Sequence, residues 1–143
     1  MKKIFCFVAV LAIFASVKGL HAQSPGTILF CGSEKEDACY FKADQFPAHA
    51  SKNFSAGSND NIYGRAYFAG PLGTTKLTVS LYRNGSFYKG RADDSGYDAS
   101  WSTAFFNLTN VVSFNNTPFP PGSYTLKLSK QTQVIASGTF SVQ

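Results

Sequence analysis

The chain has 143 residues, 44% of them hydrophobic and 15% aromatic, with a formal charge of +5. That length holds one domain with a single proper core. Three basic residues, Lys2, Lys3 and Lys18, precede Ala22; beyond it ten basic residues face eight acidic ones in scattered order, so no basic stripe is available to track nucleic-acid phosphates.

The N-terminus reads as an export tag. Lys2 and Lys3, an apolar run over residues 4–15 and Leu20-His21-Ala22 make the three-part layout of a secretory signal peptide. The run is too short to span a membrane comfortably. Residues 1–22 are therefore expected to form a helical signal peptide, cut between Ala22 and Gln23. Residues 23–143 would then be a mature domain, secreted or periplasmic, with no stable membrane insertion after cleavage. Leu29-Phe30 before Cys31 do not resemble the small residues of a lipidation site, which favours soluble export.

Cys6 leaves with the tag, and Cys31 and Cys39 remain. An even pair in an oxidising compartment suits one disulfide around a polar, acidic loop. A ring this small contributes about 2–3 kcal/mol through loop-closure entropy. Redox pairs usually sit two residues apart and tetrahedral zinc needs four ligands, while His49 is the single histidine left after cleavage. A structural bridge is the better reading.

Strands are expected at residues 27–31, 39–42 and 62–68, with an unpatterned connection over 46–61. Period-two alternation is clearest in 76–82, where Leu77, Val79 and Leu81 face a core and Thr78 and Ser80 face out. Asn84-Gly85 is a strong hairpin signal, and residues 86–89 return as its partner strand. Strands at 102–108 and 111–114 follow. Pro120-Pro121-Gly122 then opens a closing hairpin. Tyr124, Leu126 and Leu128 lie on one side of its first strand, and Val134, Ala136, Phe140 and Val142 on one face of its second. Apolar residues on one side only suit antiparallel sheets with a solvated face. The expected fold is all-β, a two-sheet sandwich of about seven or eight strands.

Pro121-Gly122-Ser123-Tyr124-Thr125-Leu126, with the run from Val134 to Val142, resembles the closing hairpin of immunoglobulin-like or fibronectin-III-like domains of exported bacterial proteins. Residues 62–68 and 77–81 resemble their middle strands. The resemblance implies an antiparallel immunoglobulin-like sandwich, with Tyr124 packed at a sheet corner and its hydroxyl bonded to nearby backbone. Cys31 and Cys39 are too close in sequence to be the cross-sheet pair of antibody domains. The resemblance carries a fold and no functional residues.

Nothing in the chain assembles a catalytic set. His49 stands alone in a loop, without a nucleophile elbow or a glycosidase-type carboxylate pair. Asp93, Asp94 and Asp98 lie in a Gly-containing turn that lacks EF-hand spacing. No phosphate loop or dinucleotide motif is present, and no cofactor or metal is implied. The Asn-x-Ser/Thr sequons at Asn53, Asn84, Asn107 and Asn115 read as turn asparagines. Aromatics are the remaining abundance. Tyr82, opposite Leu81, together with Tyr88, Tyr97 and Trp101, forms a candidate surface set suited to sugar stacking or protein contact. The expected function is a non-catalytic binding module for a protein or glycan. The alternative is a secreted protease inhibitor presenting loops 46–61 and 93–100, with a hydrolase more distant.

Overall fold

The structure is a computed structural model that describes residues 23–32, 42–56, 61–93, 96–108 and 118–143. The expected signal peptide and Cys39 lie outside these residues, as do the patterned segment 111–114 and all but Lys42 of the strand expected at 39–42.

Among the described residues there are eight strands: β1 Thr27–Gly32, β2 Asn53–Phe54, β3 Ile62–Tyr67, β4 Leu77–Arg83, β5 Ser86–Asp93, β6 Thr103–Asn107, β7 Gly122–Lys130 and β8 Gln133–Val142. They follow one hydrogen-bonded path, β5-β4-β7-β8-β1-β3-β6, with β2 added to β8. The expected two leaves, β5-β4-β7-β8 and β1-β3-β6, are thus joined where β8 meets β1. The sheet curls so that residues from both ends share one core, including Ile28, Ala66 and Phe106 from one leaf and Val79, Leu126 and Phe140 from the other.

Alternation explains the burial. Leu77, Val79 and Leu81 of β4 are buried with Tyr124, Leu126 and Leu128 of β7, and Val79 stands opposite Leu128. Asn84 and Gly85 take φ of 49° and 84°, the left-handed pair that a tight hairpin turn requires. Tyr124 stacks on Phe140, centroids 4.9 Å apart, and Phe30 of β1 meets Phe140 at 4.8 Å. These rings join the leaves across the core. Gly138 permits the close approach of β1 to β8: a Cβ there would collide with the Ile28 carbonyl and lie 2.8 Å from the Phe30 ring.

Two departures from simple patterning have clear causes. Val134 is 49% exposed rather than on the core face with Ala136. Ser129 pairs with Val134 while Leu128 pairs with Ala136, so Ile135 is an extra residue in a bulge that turns Val134 outward. The connection expected over 46–61 contains a one-turn helix, α1 Phe46–His49, and the two-residue β2. Proline in the first turn starts α1, and Phe46 buries against Cys31 and Tyr63 on the outer side of the β1-β3-β6 leaf. That leaf therefore has a second, smaller apolar cluster on its outer face.

Candidate binding site

The outer face of β3 and β6 carries the residues that define a groove. In β3, Tyr63, Arg65 and Tyr67 alternate with the core residues Ile62 and Ala66 and so point away from the main core. Arg65 stands opposite Phe105 of β6 in the register. Its guanidinium lies between two rings, 5.3 Å from the Phe105 centroid and 5.7 Å from that of Phe46. Only 7% of Arg65 is exposed, and burial pulls its pKa down while the Tyr67 phenol acts in the other direction. Arginine remains charged under such a shift. Tyr67 donates its hydroxyl to the Ala43 carbonyl at 2.8 Å, tying the segment before α1 to this face.

Beside Arg65 a solvent-open groove of about 560 Å³ is lined by Arg65, Ser100, Trp101, Ser102, Thr103 and Phe105. Trp101 forms its rim, with 44% of the residue exposed. The indole is carried on a fixed backbone. Trp101 N–H donates to the Asp98 carbonyl at 3.0 Å, and Leu72 N–H donates to the Trp101 carbonyl at 2.8 Å. Gly73 N–H donates to the Ala99 carbonyl at 2.7 Å and Phe68 N–H to the Ser102 carbonyl at 2.8 Å. The Asp98 carboxylate accepts from the Ser100 hydroxyl at 2.7 Å and the Ser100 N–H at 2.8 Å. Those two bonds hold its pKa below the ordinary carboxylate value.

The tyrosines expected to share a surface with Trp101 do not join this groove. Tyr97 is 6% exposed and belongs to the main core; its place beside Gly96 and Asp98 looked like a loop, but its side chain turns inward. Tyr88 is half-buried, packs against the core and meets Tyr124 edge to face at 6.2 Å. Tyr82 lies on the outer face of β4 beside Phe87. Arg65 and Phe105 are the groove residues that patterning missed. Their signal was an arginine alternating with Tyr63 and Tyr67 in an otherwise apolar strand.

The described residues contain no group of three His, Cys, Asp or Glu able to hold a metal. Asp94 lies outside them, and Asp98 is engaged by Ser100. His49 sits at the end of α1, in the turn that packs Phe46. Two sequon asparagines are tied into the fold: Asn84 Oδ1 accepts from Ser123 N–H at 3.0 Å, and Asn53 Oδ1 accepts from the Ser141 hydroxyl at 2.7 Å. No helix among the described residues is long and apolar enough to cross a membrane.

Tyr124 is fully buried at the start of β7, and its hydroxyl donates to the Pro120 carbonyl four residues upstream. That is the corner arrangement expected for this hairpin. An immunoglobulin-like protein from Pseudomonas aeruginosa matches 81% of this chain and 91% of its own, at a TM-score of 0.51 and 12% identity. The fold is immunoglobulin-like. A CARDB domain from Pyrococcus furiosus, solved in complex with di-metal ions, matches 82% of this chain and 93% of its own, with a TM-score of 0.40 and 18% identity. No family model matches the sequence, and no curated protein does either. The immunoglobulin-like domain provides a scaffold, and the function must be argued from its own surface.

Proposed function

We propose that this chain is an exported, non-catalytic immunoglobulin-like module that binds a glycan in the Trp101 groove. The single observation carrying this reading is an exposed indole on a hydrogen-bonded turn, beside a buried guanidinium and three hydroxyl side chains. An aromatic face suits the C–H face of a sugar ring, while hydroxyls and a guanidinium suit its hydroxyl groups. Exposed aromatics that are already fixed bring contact area at small entropic cost.

In this reading residues 1–22 are removed and Cys31 bridges Cys39. The bridge is supported by a fully buried Cys31 and by the even pair of cysteines that remains after residue 22. Intact mass with and without reductant tests both points. The expected result is a chain starting at Gln23, with two cysteines alkylated only after reduction. The inhibitor reading is less favoured because α1 and β2 occupy part of the segment that would have to be presented.

Trp101 is the only tryptophan in the sequence, so tryptophan emission, excited beyond the tyrosine absorption band, reports on the groove alone. Titration with a panel of neutral oligosaccharides should change that signal saturably, and Trp101→Ala should lose the binding by calorimetry. Absence of binding across the panel, or equal binding by Trp101→Ala, rejects the glycan reading. Capture of a protein partner that Trp101→Ala no longer holds would assign the groove to protein recognition instead.

A further inference from the structure

We infer that the outer face of the β5-β4-β7 leaf carries a second, separate subsite, built on Tyr82, Phe87 and Lys127 and selective for an acidic sugar. The ligand class rests on the glycan reading above; the residues do not. Tyr82 and Phe87 are paired across β4 and β5 and meet edge to face, centroids 5.9 Å apart. Lys127 of β7 places its Nζ 4.5 Å from the Tyr82 centroid. Three adjacent strands thus supply one cation and one further ring, each set against the Tyr82 ring.

Phe87 is 64% exposed, more than the other large hydrophobic residues with exposed side chains, Trp101 and Val134. Its ring lies back over Gly90, where a Cβ would come within 3.1 Å of it and 2.8 Å of the Val79 carbonyl. Gly90 makes room for that placement. The same face presents Ser80, opposite both Gly90 and Lys127, and Thr125, opposite Tyr82. Hydroxyls beside an exposed ring can bond to a sugar that stacks on it. A lone exposed Phe on a solvated strand face is commonplace; a ring pair with a cation held over its Tyr82 member and hydroxyls in register is a more particular arrangement.

Charge points to the kind of sugar. Strands β4, β5 and β7 carry Arg83, Lys89, Arg91, Lys127 and Lys130 against one acid, Asp93. The rest of residues 23–143 has five basic and seven acidic residues. The pairing separates them by face: Arg83, Lys89 and Arg91 stand at positions opposite the core residues Tyr124, Leu81 and Val79, and Lys130 Nζ donates to the Leu72 carbonyl, so of these five cations Lys127 is the one on the outer face. Lys127, held over the Tyr82 ring beside Phe87, favours an anionic ligand on that face.

The test uses the mature protein and three probes: polygalacturonate, the same polymer fully methyl-esterified, and dextran sulfate. Affinity electrophoresis in low salt should show polygalacturonate bound more tightly than its ester by about tenfold. Phe87→Ala should weaken polygalacturonate binding severalfold, and Lys127→Gln should bring acid and ester to parity. Trp101→Ala should leave the preference for acid in place, which separates this subsite from the groove. Equal binding of acid and ester by the wild type overturns the inference. So does wild-type behaviour in either variant, or dextran sulfate bound more tightly than polygalacturonate with no sensitivity to Phe87→Ala, which would mark bulk charge alone. Both substitutions are on the outer face, and unchanged thermal unfolding would confirm that a loss is local.

Discussion

The hydroxyl of Tyr124 donates to the carbonyl oxygen of Pro120, closing the corner that feeds β7. The same ring stacks on Phe140 and meets Phe119 edge to face at 5.5 Å. One residue therefore fixes both the entry of the closing hairpin and the aromatic centre of the core.

Tyr124→Phe keeps the ring and removes the bond, leaving the half-buried Pro120 carbonyl short of a donor. The expected loss is about 1 kcal/mol, read from the denaturant midpoint. A pH signature accompanies it. Burial raises the pKa of Tyr124, and burial likewise raises that of Tyr67. The folded state holds these protons more tightly than the unfolded chain does. Their contribution is complete below the ordinary tyrosine value, about pH 10, and falls as pH rises through the raised folded values. Tyr124→Phe should make stability fall less steeply above pH 10; an unaltered slope would show that Tyr124 does not contribute to the loss of stability there.

Phe46 is fully buried, yet it belongs to the small outer cluster rather than the main core. Phe46→Ala should cost about 3 kcal/mol, the range for deleting a buried ring. It should also remove one of the two rings flanking Arg65 and weaken ligand binding in the Trp101 groove. Restoring the volume with Phe46→Leu should recover stability in part. A stability loss below 1 kcal/mol would mean that the outer cluster collapses freely to fill the space.

Asp98 is exposed, and its carboxylate acts on the turn rather than on a ligand. Asp98→Ala removes both bonds from Ser100 and should loosen the backbone that carries Trp101. The expected outcome is lower steady-state anisotropy of the tryptophan and weaker glycan binding, with the melting temperature little changed. Asp98→Asn retains a carbonyl acceptor and should recover most of the effect. Equal anisotropy in all three proteins would assign the rigidity of Trp101 to its backbone bonds with Asp98 and Leu72 alone.

Much of the sandwich was legible from local pattern. Leu77, Val79 and Leu81 alternate cleanly, and Asn84-Gly85 supplies the turn that the pairing of β4 with β5 requires. Long-range pairing was harder to see. The bulge at Ile135 depends on how β8 registers with β7, and nothing next to Val134 records that it will face outward. Tyr97 sits among turn residues, but its side chain is buried in the main core. Trp101 stood out as a candidate surface residue by type, and it is exposed. The floor of its groove, Arg65 beside Phe105, comes from strands forty residues apart in sequence and appears only when β3 and β6 pair.

The junction of the two leaves also sets how the domain responds to tension. β1 and β2 run parallel to β8, pairing at Thr27 with Ser137 and at Asn53 with Ser141. Bonds from Ser137 N–H to the Gly26 carbonyl and from Ser141 N–H to the Lys52 carbonyl bridge them. Pulling from the Gly26 side and from Gln143 draws parallel neighbours past one another, so the bridging bonds are loaded in shear together instead of peeling one by one. Single-molecule stretching should give one abrupt high-force rupture, whereas stepwise unravelling at low force would contradict it. A chain held at its two ends would then carry load through β8, with both proposed sugar sites on the flanks of the strained seam.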